Sequence, residues 1–382
     1  MHITFLRAAA TAALASGALS APVLAAEAER AEFGTMADGT VVEKITLTGA
    51  NGVSAVIVSY GATLQALNAP DRQGNVADIT IGYDTLEDFV QRPNYWGQTI
   101  GRYANRIAGG SFSLDGTQYQ LDQNDDPNSL HGGADGFDKR NWRVVSVDDS
   151  GGDASVTLAL TSPAGDQGYP GTLGATVVYT LDDAGALTID FSATTDAPTI
   201  VNMTNHALFN LGGDGWAYGT YDQRLTIPAS RFTPVDENLI PTGELRDVEG
   251  TVFDFRNGRM LYDGIRDGTD EQIVLGRGWD HNFVLDKGRT ATPELAARVE
   301  HPLSGRVLEV LTTEPGVQFY SGNFLVGELV GRGGRVYRMG DGIALEPQLF
   351  PDTPNQESFG SARLNPGDTY RHTMIYRVST AD

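Results

Sequence analysis

Cysteine is absent from the 382-residue sequence. That excludes disulfides, zinc-thiolate sites and thiol nucleophiles, so stability has to come from packing. Basic charge is also scarce: 27 Lys and Arg face 49 Asp and Glu, for a net charge of -22 with neutral His. Such a surface repels nucleic acid, anionic lipid and, to a lesser degree, phosphorylated metabolites, which leaves a small neutral ligand as the expected partner. Beyond the first residues no segment is long and apolar enough to span a bilayer, so no membrane association is expected once the N-terminus is cleaved. Long helical patterns are few, and no linker, composition shift or fixed-period repeat divides the chain.

What is present begins with an N-terminal run. Arg7 precedes the weakly apolar stretch Ala8 to Leu24, and Val23-Leu24-Ala25 or Leu24-Ala25-Ala26 offers small residues for cleavage. This predicts an export signal over residues 1–26, cut near Ala25 or Ala26, and a periplasmic destination. Removing it takes away Arg7 and no carboxylate, which moves the net charge by one from -22 to -23. The rest, residues 27–382, reads as one domain.

The 46 Gly and 17 Pro punctuate short alternating runs, the pattern of strands. Val42 to Leu47 and Val53 to Leu67 alternate around the turn Gly49-Ala50-Asn51-Gly52. Phe112 and Leu114 enter Asp115-Gly116, and Tyr119 and Leu121 leave it, which is a hairpin. Thr85 with Asp88 three residues later caps one short helix. Similar turn spacing continues to Tyr370–Val378, so the simplest architecture is all-β: one large antiparallel domain of two packed sheets.

Several polar residues stand out against this pattern. In Val201–Leu211 the alternation breaks at His206, a candidate proton donor whose bland alternative is a hydrogen-bonded structural histidine. His131 precedes Gly132-Gly133, where glycine permits a close approach to a ligand, or sits in an ordinary turn. The loop Gly101-Arg102-Tyr103-Ala104-Asn105-Arg106 lacks the residues of a P-loop or a dinucleotide site. Its Arg forks suit neighbouring hydroxyls or a structural ion pair. Asp280 opens an apolar strand, where it accepts from ligand hydroxyls or caps a turn. Gln318 and Tyr320 share one face of an extended run, with Val317 and Phe319 on the other. Glu346 lies inside the apolar run Gly342–Gln348, where burial raises a carboxyl pKa toward general-base work, unless it serves in an ion pair.

Taken in order, these segments resemble the aldose 1-epimerase, or galactose mutarotase, family. The resemblance rests on Gly101–Ile107, Leu130-His131-Gly132-Gly133, Thr204-Asn205-His206, Asp280–Phe283, Pro315–Tyr320 and Leu345–Gln348, and spans roughly Gly34 to Val378. It implies a large antiparallel β-sandwich of the galactose mutarotase type with few short helices, an open sugar cleft, and no metal or organic cofactor. By the same resemblance Glu346 is the general base and His206 the general acid, with His131 near the ring oxygen. Asn105, Arg106, Asp280 and Gln318 contact sugar hydroxyls. Ala207-Leu208 and Ala344 depart from common family residues at their positions and bear on substrate preference.

The implied chemistry interconverts α and β anomers of a free hexose such as galactose or glucose. One group takes the C1 hydroxyl proton while another protonates the ring oxygen; the ring opens, the C1-C2 bond turns, and reclosure reverses the roles. This predicts ionised Glu346 and protonated His206, the latter favoured by the acidic protein field. The rivals are a noncatalytic sugar-binding module, a glycosidase using Asp280 and Glu346, and a zinc enzyme using His131, His206 and His281. The charge disfavours a hexose-phosphate substrate. The assembly is expected to be a monomer or a homodimer.

Overall fold

The computed structural model describes residues 1–2 and 26–381. The apolar run that carried the export-signal expectation, Ala8 to Leu24, lies outside the described residues. No helix among the described residues is long and apolar enough to cross a membrane.

Alternation becomes pleat throughout. In the strand Leu173–Leu181, residues 173, 175, 177, 179 and 181 are buried and the intervening positions are more exposed. This is the pattern of a strand with one face on the core. It pairs antiparallel with Ala154–Ser162 on one side and Ala186–Thr195 on the other. These strands belong to a nine-stranded sheet that continues through Tyr370–Thr380, Arg306–Thr312 and Glu294–Glu300. A five-stranded sheet is a meander of consecutive strands from Glu27–Thr35 to Val76–Asp78. A six-stranded sheet runs Leu208–Phe209, Ile343–Gln348, Gly316–Tyr320, Asp280–Val284, Arg231–Phe232, Arg246–Asp247. The five- and six-stranded sheets are linked just past Val76–Asp78, where the Ile81 N–H donates to the Leu208 carbonyl. Inner faces of all three sheets enter one apolar core, with Ile57, Val177 and Phe319 as members from each. The result is the expected antiparallel β-sandwich.

Short-range signals are realised as chemistry dictates. The Thr85 hydroxyl accepts from the Asp88 N–H at 3.2 Å to cap the helix Leu86–Gln91. The hairpin Ser111–Leu114 to Thr117–Gln120 turns through Asp115 and Gly116 with φ of 53° and 76°. Two left-handed residues are what a primed two-residue turn requires. A second helix, Glu271–Gly276, is capped by Asp270 and is too short for its apolar period to register in the sequence.

The central strands of the six-stranded sheet position the site. Phe283, Val317, Phe319, Ile343 and Leu345 point into the core, and Trp279 stacks on Phe319 at 5.6 Å between ring centroids. Each such ring contributes about 1.5–3 kcal/mol by leaving water. By strict alternation, Asp280, Asn282, Gln318, Tyr320 and Glu346 share the opposite face. Register places Asn282 opposite Gln318 and Gln318 opposite Glu346, so one row of the sheet carries three polar side chains. Core packing on one face therefore aligns polar groups on the other.

Candidate active site

An open cleft of about 460 Å³ lies over this polar face. Its floor carries Glu346, Asp280 and Tyr320, its walls carry His206, His131, Asn105 and Arg106, and its rim is the segment Glu237–Leu239.

Two loops supply one wall and lock each other. The Asn105 N–H donates to His131 Nδ1 at 3.1 Å, and the His131 N–H donates to the Asn105 carbonyl at 3.0 Å. Both residues have left-handed backbones, with φ of 64° and 54°, a conformation non-glycine residues keep only where surroundings enforce it. Because Nδ1 accepts a hydrogen bond, neutral His131 carries its proton on Nε2 and offers an N–H donor. Gly132 has a reason other than ligand approach: a Cβ there would lie 2.0 Å from the Gly101 carbonyl oxygen. The close approach is between the two loops.

Arg106 reaches the cleft and pairs with Asp125 at 2.7 Å. Its neighbour Arg102 is buried, with its guanidinium spent on the carbonyls of Ser162, Pro163, Pro170 and Gly171. Of the two arginines, one therefore serves the cleft and the other ties loops together.

Asp280 and Gln318 form a unit, with Gln318 Nε2 donating to Asp280 Oδ1 at 2.8 Å. Gln318 does not line the open cleft among the described residues; it stands beside Asp280 and orients it. His281 faces away from the site. Its Nδ1 accepts from the Asp280 N–H, its Nε2 meets Gln272 Oε1 at 3.1 Å, and its ring packs 4.8 Å from Phe253. Strand alternation sends consecutive residues to opposite faces, which removes His281 from the set considered for zinc.

Glu346 and His206 meet at the centre, with Glu346 Oε1 3.5 Å from His206 Nε2. Both are buried. Burial, with the nearby Asp280 charge adding to it, pushes the Glu346 carboxyl well above its usual range. Burial likewise pushes the His206 imidazole down from 6.5 to about 4. This corrects the expectation of a resting imidazolium, because desolvation outweighs the acidic field. Between the two titrations the pair holds one proton, whether written as carboxyl and imidazole or as carboxylate and imidazolium. A second proton enters only where His206 titrates, so kcat/KM should hold its plateau to near pH 4 on the acid side. A pH profile read beside circular dichroism, to exclude unfolding, checks this; an acid limb at the ordinary imidazole value of 6.5 would contradict it.

His131, His206 and Glu346 also bring potential metal-binding atoms within 4.8 Å of one another. The tautomer argues against a metal, since a ligating nitrogen must present a lone pair and His131 Nε2 carries the proton.

The structure adds a residue that sequence patterning missed. Tyr95 stands with ring centroids 4.5 Å from His131 and 5.8 Å from His206. It lies in Asn94-Tyr95-Trp96, a segment with no strand period and no turn signature to mark it.

A β-sandwich whose cleft sets a buried Glu–His contact beside amide, carboxyl and guanidinium groups has the make-up of an enzyme site for a polyhydroxylated ligand. The chain belongs to the aldose 1-epimerase family, whose sequence profile matches residues 43–377. It is 46% identical over 355 residues to galactose mutarotase from Bos taurus, covering 92% of this chain and 98% of that one. It is 38% identical over 342 residues to aldose 1-epimerase from Escherichia coli strain K12, covering 89% and 96%. Among solved structures, galactose 1-epimerase from Lactobacillus acidophilus superposes with a TM-score of 0.81 at 28% identity, covering 93% of this chain and 99% of that one. These relatives correct the periplasmic assignment: galactose mutarotases from Bos taurus and Homo sapiens match at 46% and 45%, and animal cells have no periplasm.

Proposed function

We propose that this enzyme interconverts the α and β anomers of a free hexose such as galactose or glucose, with Glu346 and His206 moving the two protons. The observation that carries the assignment is the 3.5 Å approach of Glu346 Oε1 to His206 Nε2 on the cleft floor. A binding module gains nothing from such a pair, whereas anomer exchange needs one proton removed and one delivered. Moving the one proton of the pair from the Glu346 carboxyl to His206 makes the carboxylate and imidazolium that the exchange uses, and the two opposite charges stay paired in a buried place.

In this reading the sugar lies with its C1 hydroxyl toward Glu346 and its ring oxygen toward His206. Glu346 takes the hydroxyl proton, His206 delivers one to the ring oxygen, and the ring opens to the aldehyde. After rotation about C1-C2 the two residues reverse roles and close the other anomer. His131 Nε2–H donates near the ring oxygen, while Asn105, Arg106, Asp280 and Gln318 hold the remaining hydroxyls, Gln318 by way of Asp280. Fixing the sugar this way confines motion to the C1 end. The same reading takes residues 27–382 as one domain, because side chains of all three sheets enter one core.

Polarimetric decay of freshly dissolved α-D-galactose and α-D-glucose tests the assignment. Acceleration over the spontaneous rate is expected, with no reducing sugar released from glycosides; glycoside cleavage would favour Asp280 and Glu346 as a hydrolytic pair instead. Dialysis against a chelator should leave the rate unchanged, and a loss restored by zinc would overturn the reading of His131 as a proton-bearing donor.

A further inference from the structure

Beside the open cleft, on the sheet face that carries Glu346, six polar atoms share one property. Gln318 Oε1, both amide atoms of Asn282, both amide atoms of Gln348, and Glu346 Oε2 are enclosed and have no protein partner among the described residues. Their residues are 3%, 1%, 0% and 2% exposed respectively for Gln318, Asn282, Gln348 and Glu346. Leaving a buried polar group without a partner costs about 1–3 kcal/mol, so six together would be a heavy burden on a stable fold.

They are also contiguous. Asn282, Gln318 and Glu346 stand in one cross-strand row, and Gln348 is two residues beyond Glu346 on the same strand, opposite Gly316. Direct cross-strand neighbours lie about 5 Å apart and same-face neighbours along a strand about 7 Å apart, the spacing that one or two waters bridge. Gly316 keeps this ground open to the amide, since a Cβ there would lie 2.4 Å from Asn282 Oδ1. None of the three amides lines the open cleft, whereas Glu346 does. The group that fills these hydrogen bonds therefore sits beside Glu346 on the same sheet face, outside the open cleft.

We infer that Asn282 and Gln348 are positioning residues for Glu346: with Gln318 they hold ordered water against carboxyl Oε2, leaving Oε1 to face His206 and the sugar. Water pinned by the amide oxygens of Asn282, Gln318 and Gln348 can point a hydrogen at Oε2. That favours the carboxylate as it forms and fixes the plane of the carboxyl group. The benefit falls on proton transfer and not on sugar binding. The inference rests on the reading of Glu346 as the base.

The test combines kinetics with diffraction. Asn282→Leu and Gln348→Met keep volume and remove the amides; each should lower kcat about tenfold while KM stays within about twofold. Asn282→Ser, which keeps a polar group and makes room for water, should recover most of the loss seen in Asn282→Leu. A high-resolution crystal structure of the wild-type enzyme should show water bridging the amides to Oε2, a result independent of whether any variant folds. Overturning results are a raised KM at unchanged kcat, which would make the amides sugar ligands; no recovery in Asn282→Ser; or amides bonded directly to protein groups in the crystal. Glu346→Gln in the same assay separates the two readings. If it stays active, the base is misassigned; if it collapses while both amide variants keep wild-type kcat, only this inference fails.

Discussion

Glu346→Gln is expected to lower kcat for mutarotation by about a thousandfold, within the roughly 100- to 10,000-fold range of a lost proton-transfer partner. Gln matches Glu in volume and keeps two polar atoms in place, so the cleft floor should keep its shape. What it loses is the capacity to accept and return a proton. The KM for galactose should change little, because no sugar-holding group is removed; a fall in kcat and kcat/KM together is the signature of an interaction made at the transition state. Polarimetry at saturating sugar measures the first, and progress curves at low sugar the second. A variant that keeps more than a tenth of wild-type kcat would remove Glu346 from the base role.

The second large effect belongs to His206→Asn. Its kcat should also fall by about 100- to 1,000-fold, since Asn can donate a hydrogen bond to the ring oxygen but cannot deliver the proton. His206 lies 5.2 Å from His131 and 5.8 Å from Tyr95 between ring centroids, so a smaller side chain leaves some space there and a modest rise in KM is expected as well. The double variant should be scarcely worse than Glu346→Gln alone. In the proposed mechanism the two groups, 3.5 Å apart, act as a unit, and removing either half disables the transfer, so their effects should not add. Additive losses in the double variant would mean that each residue works independently, against the geometry of the pair.

Much of the molecule was legible in its residues. The period-2 alternation of Leu173–Leu181 and the turn Asp115-Gly116 are local, and local chemistry fixes them. Breaks in apolar patterning marked His206, Asp280 and Glu346, and the structure brings all three to one cleft with His131, Asn105 and Arg106. Tyr95 left no such mark, because a ring that packs on two imidazoles from distant loops follows no period of its own segment.

By itself, then, the sequence determined an antiparallel β-sandwich, its family, and the polar residues that interrupt apolar strands. These depend on neighbours a few places apart in the chain. The tertiary structure alone decided that Gln318 stands beside Asp280 instead of in the cleft, that His281 faces the core, and that His131 carries its proton on Nε2. It also decided that burial, and not the acidic field, sets the protonation of His206. The physical reason is common to all four: register joins strands dozens of residues apart, and a group's hydrogen-bond partners and desolvation exist only once those strands are paired.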